Sequence, residues 1–175
     1  MPPVVDSTRT TPRWLIAAAA LLLAARIALE VAAGGRAPEV VEHVGWRPIA
    51  TAMQEASATN KPVLYDFTAD WCPPCRQMQQ EVFADRRSAQ TIGELFVPVR
   101  VLDRTREEGR NPTEVAALQA RYGVEAFPTL VIVDPARPEA EPVVIKGFGG
   151  KDNLMQQLVS AGVEARLRRG GPAAR

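Results

Sequence analysis

Cys72 and Cys75 are the only cysteines among the 175 residues, and they stand in Trp71-Cys72-Pro73-Pro74-Cys75. Two thiols at this spacing close a small ring, and the flanking sequence gives that ring a setting. Upstream, Pro62-Val63-Leu64-Tyr65-Asp66-Phe67 has the composition of a strand. Downstream, Met78, Val82 and Phe83 recur at three- and four-residue spacings, as on one helical face. Cys72 therefore falls at an exposed helix start, where outward N–H groups favour a thiolate, and Cys75 one turn inside, where it is shielded. Cys72 reads as the nucleophile and Cys75 as the resolving thiol of dithiol–disulfide chemistry. Pro73 and Pro74 suit a first turn, whose N–H groups would go unbonded anyway. Trp71 and Pro73 form the rim that a partner molecule would touch. A pair of this kind is also half of a zinc site, but structural zinc takes four ligands. The other half is missing, the sole histidine being His43. No metal and no cofactor beyond the cysteine pair is expected.

Two further stretches bear on the chemistry. In the strand before the motif, Leu64, Asp66 and Thr68 share one face, and Val63, Tyr65 and Phe67 the other. Asp66 interrupts an apolar segment six residues ahead of Cys72. It is either exposed at a strand end or buried, and if buried without a partner its pKa rises into the range useful for moving protons near neutrality. Farther on, Phe127-Pro128-Thr129-Leu130-Val131-Ile132-Val133 puts a proline at the mouth of a strand, a position confined to strand starts and edges. A cis Phe127–Pro128 bond, with its loop against Cys72, is the expectation there.

The elements that must position these groups follow in order. Trp46 begins an amphipathic helix whose apolar face is Ile49, Met53 and Ala56, closed by Asn60 and Lys61-Pro62. The first strand and the cysteine-bearing helix, ending near Ile92, come next. Glu94 to Asp103 reads as a second strand and Asp103 to Pro112 as an exposed charged loop. A helix from Asn111 or Thr113 presents Val115, Leu118 and Tyr122, and stops at Gly123. The strand after Pro128, a last strand from Val143 to Phe148, and a terminal helix from Lys151 with Leu154, Leu158 and Val159 inward complete the series. The order predicts an α/β fold with a central sheet covered on both faces.

Residues 1–13 are polar and proline-rich, expected as a disordered cytoplasmic lead. Residues 14–33 supply twenty mostly apolar positions behind Arg9 and Arg13, the pattern of a segment that spans a bilayer with its amino terminus inside. Arg26 and Glu30 interrupt it, four apart on one face. The unbroken apolar core, Leu15 to Ala25, equally fits a signal peptide cleaved ahead of Gly34. With no cysteine after the run, a lipoprotein anchor is not expected. Either arrangement sends the domain out of the cytoplasm, where a cysteine pair meets oxidised partners. Residues 34–43 read as a linker, 44–163 as the domain and 164–175 as a basic disordered tail. Net charge is +1, and the domain carries thirteen Lys and Arg against fifteen Asp and Glu, which offers nothing to nucleic acid. A monomer is expected.

Residues 44–163 resemble the thioredoxin superfamily, through three elements that match in order and spacing. These are Trp71-Cys72-Pro73-Pro74-Cys75, the acid Asp66, and Phe127-Pro128-Thr129. Lys61-Pro62-Val63, Phe67-Thr68-Ala69-Asp70-Trp71-Cys72, Glu81-Val82-Phe83 and Gly147-Phe148 are most similar to the C-terminal periplasmic domain of the transmembrane disulfide reductase DsbD and to related single-domain bacterial proteins. The resemblance implies a thioredoxin-like fold with a central mixed sheet, here preceded by a hydrophobic helix. It implies a buried acid at Asp66, and a cis-proline segment at Phe127 and Pro128 that packs on the disulfide and pairs with a substrate backbone. The Pro-Pro pair departs from the usual Gly-Pro, and no lysine stands between Phe96 and Asp103 where ordinary thioredoxins keep one near the acid.

The expected activity is a membrane-tethered, extracytoplasmic thiol–disulfide oxidoreductase that reduces partner proteins. Its electrons come from a separate membrane or periplasmic donor, since a DsbD-type membrane portion is not in the sequence. The alternatives are a dithiol oxidase or isomerase using the same residues, a thiol-based chaperone for metal or haem apoproteins in cytochrome or oxidase maturation, and a purely structural disulfide.

Overall fold

The computed structural model describes residues 13–32 and 40–170. The rest of the expected lead, Ala33, the linker to residue 39 and the tail from residue 171 lie outside the described residues. Two compact units divide the chain at Glu39. The first contains helix α1, Arg13–Ala32, over the apolar run. Its leucines 21, 22 and 23 are exposed. Among the described residues no helix is long and apolar enough to cross a membrane.

The second unit is built on four strands. They are β1 (Val63–Ala69), β2 (Val97–Asp103), β3 (Thr129–Val133) and β4 (Val143–Lys146), in the spatial order β2-β1-β3-β4. β1 runs parallel to β2 and antiparallel to β3, and β3 runs antiparallel to β4, so the sheet is mixed. All seven residues of β1 are buried, because helices cover both faces. Leu64 packs in one layer with Met78, Val82, Phe83, Ile92, Phe96, Leu154 and Leu158. Val63, Tyr65 and Phe67 pack in the other with Ala52, Ala56, Val99 and Val115. Side chains of this size, fully removed from water, each contribute roughly 1.5–3 kcal/mol.

Several local readings are corrected. Helix α2 is Ile49–Thr59, and Trp46 precedes it rather than belonging to it. Its inward side chains are Ala52 and Ala56, while Met53 is 39% exposed. Small residues are needed here for the helix to approach the sheet closely. Asn60 ends α2 in the left-handed conformation, which asparagine tolerates. The cysteine-bearing helix α3 covers only Pro73–Met78. A π-helical turn at Gln79–Phe83 follows, and α4 (Arg86–Leu95) starts afresh from Asp85, whose carboxylate accepts from Ser88 N at 2.8 Å. The chain thus enters β2 at Val97, not Glu94. The charged loop after β2 holds a short helix, α5 (Thr105–Glu108), and is fastened by the buried Asp103, which accepts from Asn111 at 2.6 Å and Gln119 at 2.9 Å. Helix α6 is Thr113–Tyr122, with Gly123 ending it at φ 60°.

Helix α7 runs from Lys151 to Gly170, well into the segment expected as a disordered tail. A distant contact explains the extension: Arg169 pairs with Asp134 at 2.8 Å and reaches Asn60 at 3.3 Å. The end of the expected linker is likewise structured, with His43 N donating to Phe83 O at 2.8 Å.

Two helical glycines behave in opposite ways. A Cβ on Gly162 of α7 would sit 3.1 Å from Leu95 Cβ and Phe96 Cζ, whereas one on Gly93 of α4 meets nothing within 4 Å. Gly93→Ala is expected to raise stability by roughly 0.5–1 kcal/mol through helix propensity. Gly162→Ala is expected to lower it by roughly 1–3 kcal/mol through overpacking. Urea midpoints moving the same way for both variants would contradict this assignment.

Candidate redox-active site

Cys72 and Cys75 are joined as a disulfide. Cys72 caps α3: its sulfur accepts from Cys75 N at 3.3 Å. Because Pro73 and Pro74 lack an N–H, Cys75 supplies the one first-turn donor seen at the sulfur among the described residues. The expectation of several such donors is corrected to this one. The expectation of an exposed Cys72 is also corrected. It is 2% exposed and Cys75 0%, because the pair is packed with Ala69 under Trp71 and Phe127. The two rings meet edge to face, with centroids 5.8 Å apart.

The Phe127–Pro128 peptide is cis, and Pro128 is buried at the head of β3. The motif and the cis-proline segment therefore come together from residues more than fifty positions apart. Pro73 is exposed at the rim. Two charges next to the motif are occupied elsewhere. Arg76 donates to the Asp70 carbonyl at 2.7 Å, and the Asp70 carboxylate pairs with Arg104 at 2.8 Å.

Asp66 sits within β1 on the face of Leu64 and is completely buried, which settles the open question of its exposure. Among the described residues neither of its carboxylate oxygens has a hydrogen-bond partner. Burial pushes its pKa up to about 7, against the opposing pull of the Arg100 guanidinium.

Sequence reasoning missed four residues here. Arg100 lies opposite Asp66 in the β1–β2 register, its Nε 3.6 Å from Asp66 Oδ2. It fills the region where the absent lysine was sought. Glu42 pairs with Arg100 at 2.8 Å and accepts from Trp46 Nε1 at 2.7 Å, while the Arg100 guanidinium lies over the Trp46 ring at 4.2 Å. Arg106 of α5 stacks on Trp71, 3.6 Å from the ring centroid. Arg100 had a legible signal, a cation within a valine-rich strand. Arg106 had none, since a charged loop offers no clue to which arginine lies over Trp71.

A family model described as a thioredoxin-like domain matches residues 49–161. The chain belongs to the thioredoxin-like family. Its members are thiol–disulfide oxidoreductases that work through a cysteine pair such as Cys72–Cys75. The thiol:disulfide interchange protein DsbD of Yersinia pestis (strain Pestoides F) is 29% identical over 150 residues, which make up 82% of this chain and 24% of that protein. DsbD of Citrobacter koseri is 29% identical over 138 residues, 77% of this chain and 23% of that protein. The chain thus spans about a quarter of the length of the curated relatives it matches. A solved structure, DsbH oxidoreductase, shares the thioredoxin-like fold with a TM-score of 0.58, covering 77% of this chain and 98% of that one at 22% identity. Among the described residues no cluster of three or more His, Cys, Asp or Glu side chains could hold a metal ion.

Proposed function

We propose that this chain is a membrane-tethered, extracytoplasmic protein-disulfide reductase. The observation that carries the reading is the seat of the disulfide: Cys72–Cys75 closed at a helix start and packed under Trp71 and Phe127. Similarity to DsbD supports the reducing direction. In the cycle, the reduced Cys72 thiolate attacks one sulfur of a partner disulfide, forming a mixed disulfide and releasing the other partner sulfur as a thiolate. Cys75, having lost its proton, attacks Cys72 Sγ and frees the second partner thiol. Two electrons pass to the partner, and the chain is left in the oxidised form seen here. A donor dithiol beyond these two cysteines returns the electrons and protons. In this reading Asp66, buried in the strand that leads to the motif, exchanges the Cys75 proton. In this reading a partner strand docks along Phe127 and Pro128, with Trp71 and Pro73 at its side.

The test is the potential of the Cys72–Cys75 couple, measured together with where the domain resides. A reducing role expects a value near thioredoxin's, about −270 mV, and a value near about −120 mV would overturn it in favour of a dithiol oxidase. The apolar run behind Arg9 and Arg13 supports tethering, and its eleven-residue unbroken core supports a cleaved signal as the second reading. A reporter fused after Val163 is expected to be active outside the cytoplasm and to sediment with membranes. Soluble periplasmic activity would select the cleaved signal, and cytoplasmic activity would reject both.

A further inference from the structure

The buried acid of β1 is served by an arrangement that a single ion pair does not describe. Arg100 is shared by two carboxylates, and the sharing is unequal. It stands 2.8 Å from Glu42 but 3.6 Å from Asp66. Three contacts hold the guanidinium on the outer side. Glu42 pairs with it, the Trp46 ring lies beneath it at 4.2 Å, and the Phe83 ring is 5.6 Å away. Glu42 is itself fixed by the Trp46 indole N–H at 2.7 Å. Its side chain is 15% exposed and that of Arg100 23%, so the pair plugs the edge of the layer while Asp66 stays wholly inside. The charged groups acting on Asp66 are Arg100 from β2 and Glu42 from the segment ahead of α2. The remaining groups of that layer nearest the motif, Leu64, Met78, Val82 and Phe83, carry no charge.

We propose that Glu42, held by Trp46, is a positioning residue that draws Arg100 away from Asp66 and neutralises it, leaving the Asp66 carboxyl free to take up and release a proton. Without Glu42, Arg100 would face Asp66 as a full, unshared cation. A guanidinium at that range favours the ionised carboxylate and so lowers the share of Asp66 that holds a proton at neutral pH.

The role matters only if the disulfide-exchange reading holds, so the experiment is chosen to stand apart from it. Titration of the Asp66 carboxyl carbon is followed by NMR in the full chain with Cys72–Cys75 oxidised, when neither thiol titrates and no exchange occurs. Glu42→Gln keeps the shape and an acceptor for Trp46, and is expected to lower the Asp66 midpoint by roughly one pH unit or more, about a tenfold loss of proton affinity. Arg100→Gln is expected to raise it. An unmoved midpoint in Glu42→Gln would overturn the proposal. So would an equal fall when Glu42→Gln is made in the Arg100→Gln background, since Glu42 would then be acting directly rather than through the arginine. In the reduced protein the pH profile of disulfide exchange is expected to shift with the midpoint, which a merely structural role for Glu42 would not produce. A chain without reductase activity whose Asp66 midpoint still responds in both directions would remove the functional reading and leave this assignment standing.

Discussion

In cells quenched with acid, the Cys75→Ser protein accumulates mixed disulfides with its partners that reductant dissolves, and Cys72→Ser accumulates almost none. The asymmetry follows from the seats of the two sulfurs. Cys72 lies at the helix start with the Cys75 N–H directed at its sulfur, a contact that stabilises its thiolate. Cys75 is one turn farther in, fully buried, and packed with Ala69. Both sulfurs are buried in the closed pair, so the asymmetry rests on the position of Cys72 at the helix start. That position makes Cys72 the thiol expected to attack first and Cys75 the one expected to release the partner. With Cys75 gone, the first attack occurs and the second does not, so the adduct persists. With Cys72 gone, turnover falls to background. Non-reducing gels of tagged variants read the result. Equal yields from both variants would mean equal access, and adducts mainly from Cys72→Ser would reverse the assignment.

The oxidised protein loses stability as pH rises from about 4 to about 7, by an amount on the order of 4 kcal/mol, and Asp66→Asn abolishes that loss. The folded Asp66 carboxyl keeps its proton until about pH 7, whereas an aspartate carboxyl in the unfolded chain loses it near 3.8. Between those values the folded state binds more protons than the unfolded one, so each rise in pH favours unfolding. Stability from this group is full below the unfolded pKa, declines through the window, and levels off above about 7. A shift from 3.8 to about 7 at about 1.4 kcal/mol per unit gives the magnitude. The other shifted acids act with the opposite sign and in a different window. Hydrogen bonds from Ser88 hold Asp85 down to about 2, and Asp103 and Asp134 are lowered by their own side-chain partners. Their contribution is present above the unfolded value near 4 and is lost as pH falls below it. Urea unfolding of wild type and Asp66→Asn across about pH 4 to 8 separates the two effects. Parallel curves across that range would contradict a raised pKa for the buried Asp66 carboxyl.

What the sequence made legible is what local pattern controls. The alternation in Val63 to Ala69 assigned both faces of β1, and the Cys-Pro-Pro-Cys run after it placed a helix start. The proline before Thr129-Leu130-Val131 marked the head of β3. What it did not show depends on residues far away in the chain. Ala52 and Met53 are both compatible with a helical apolar stripe, and the closeness of the sheet chose the smaller. The π-helical turn at Gln79–Phe83 has no local signature, because Val82 and Phe83 keep a helical spacing across it. The end of α7 looked like a solvated basic tail, since the pairing of Arg169 with Asp134 spans thirty-five residues. At the site, Asp66 and the cysteines were visible from their neighbours. Arg100 stood out as a cation in a valine-rich strand, but its grouping with Glu42 and Trp46 did not, because only the register of β1 against β2 and the path of the chain ahead of α2 bring the three together.

The strand order β2-β1-β3-β4 leaves two outer strands, and an outer strand is a template on which another chain can polymerise. Both outer strands here carry devices against that. β4 has only four residues, follows Pro142, exposes Lys146 and ends at Gly147 with φ 77°. Its exposed Val143 and Val144, 44% and 40% accessible, would otherwise be an adhesive edge. β2 contains Pro98, which offers no ladder donor, and the Pro98 carbonyl is already taken by Arg47 N at 2.8 Å. On the reading proposed above, in which the chain approaches partners at the aromatic rim of Trp71 and Phe127, strand edges this short, charged or occupied keep that approach from recruiting copies into a fibre.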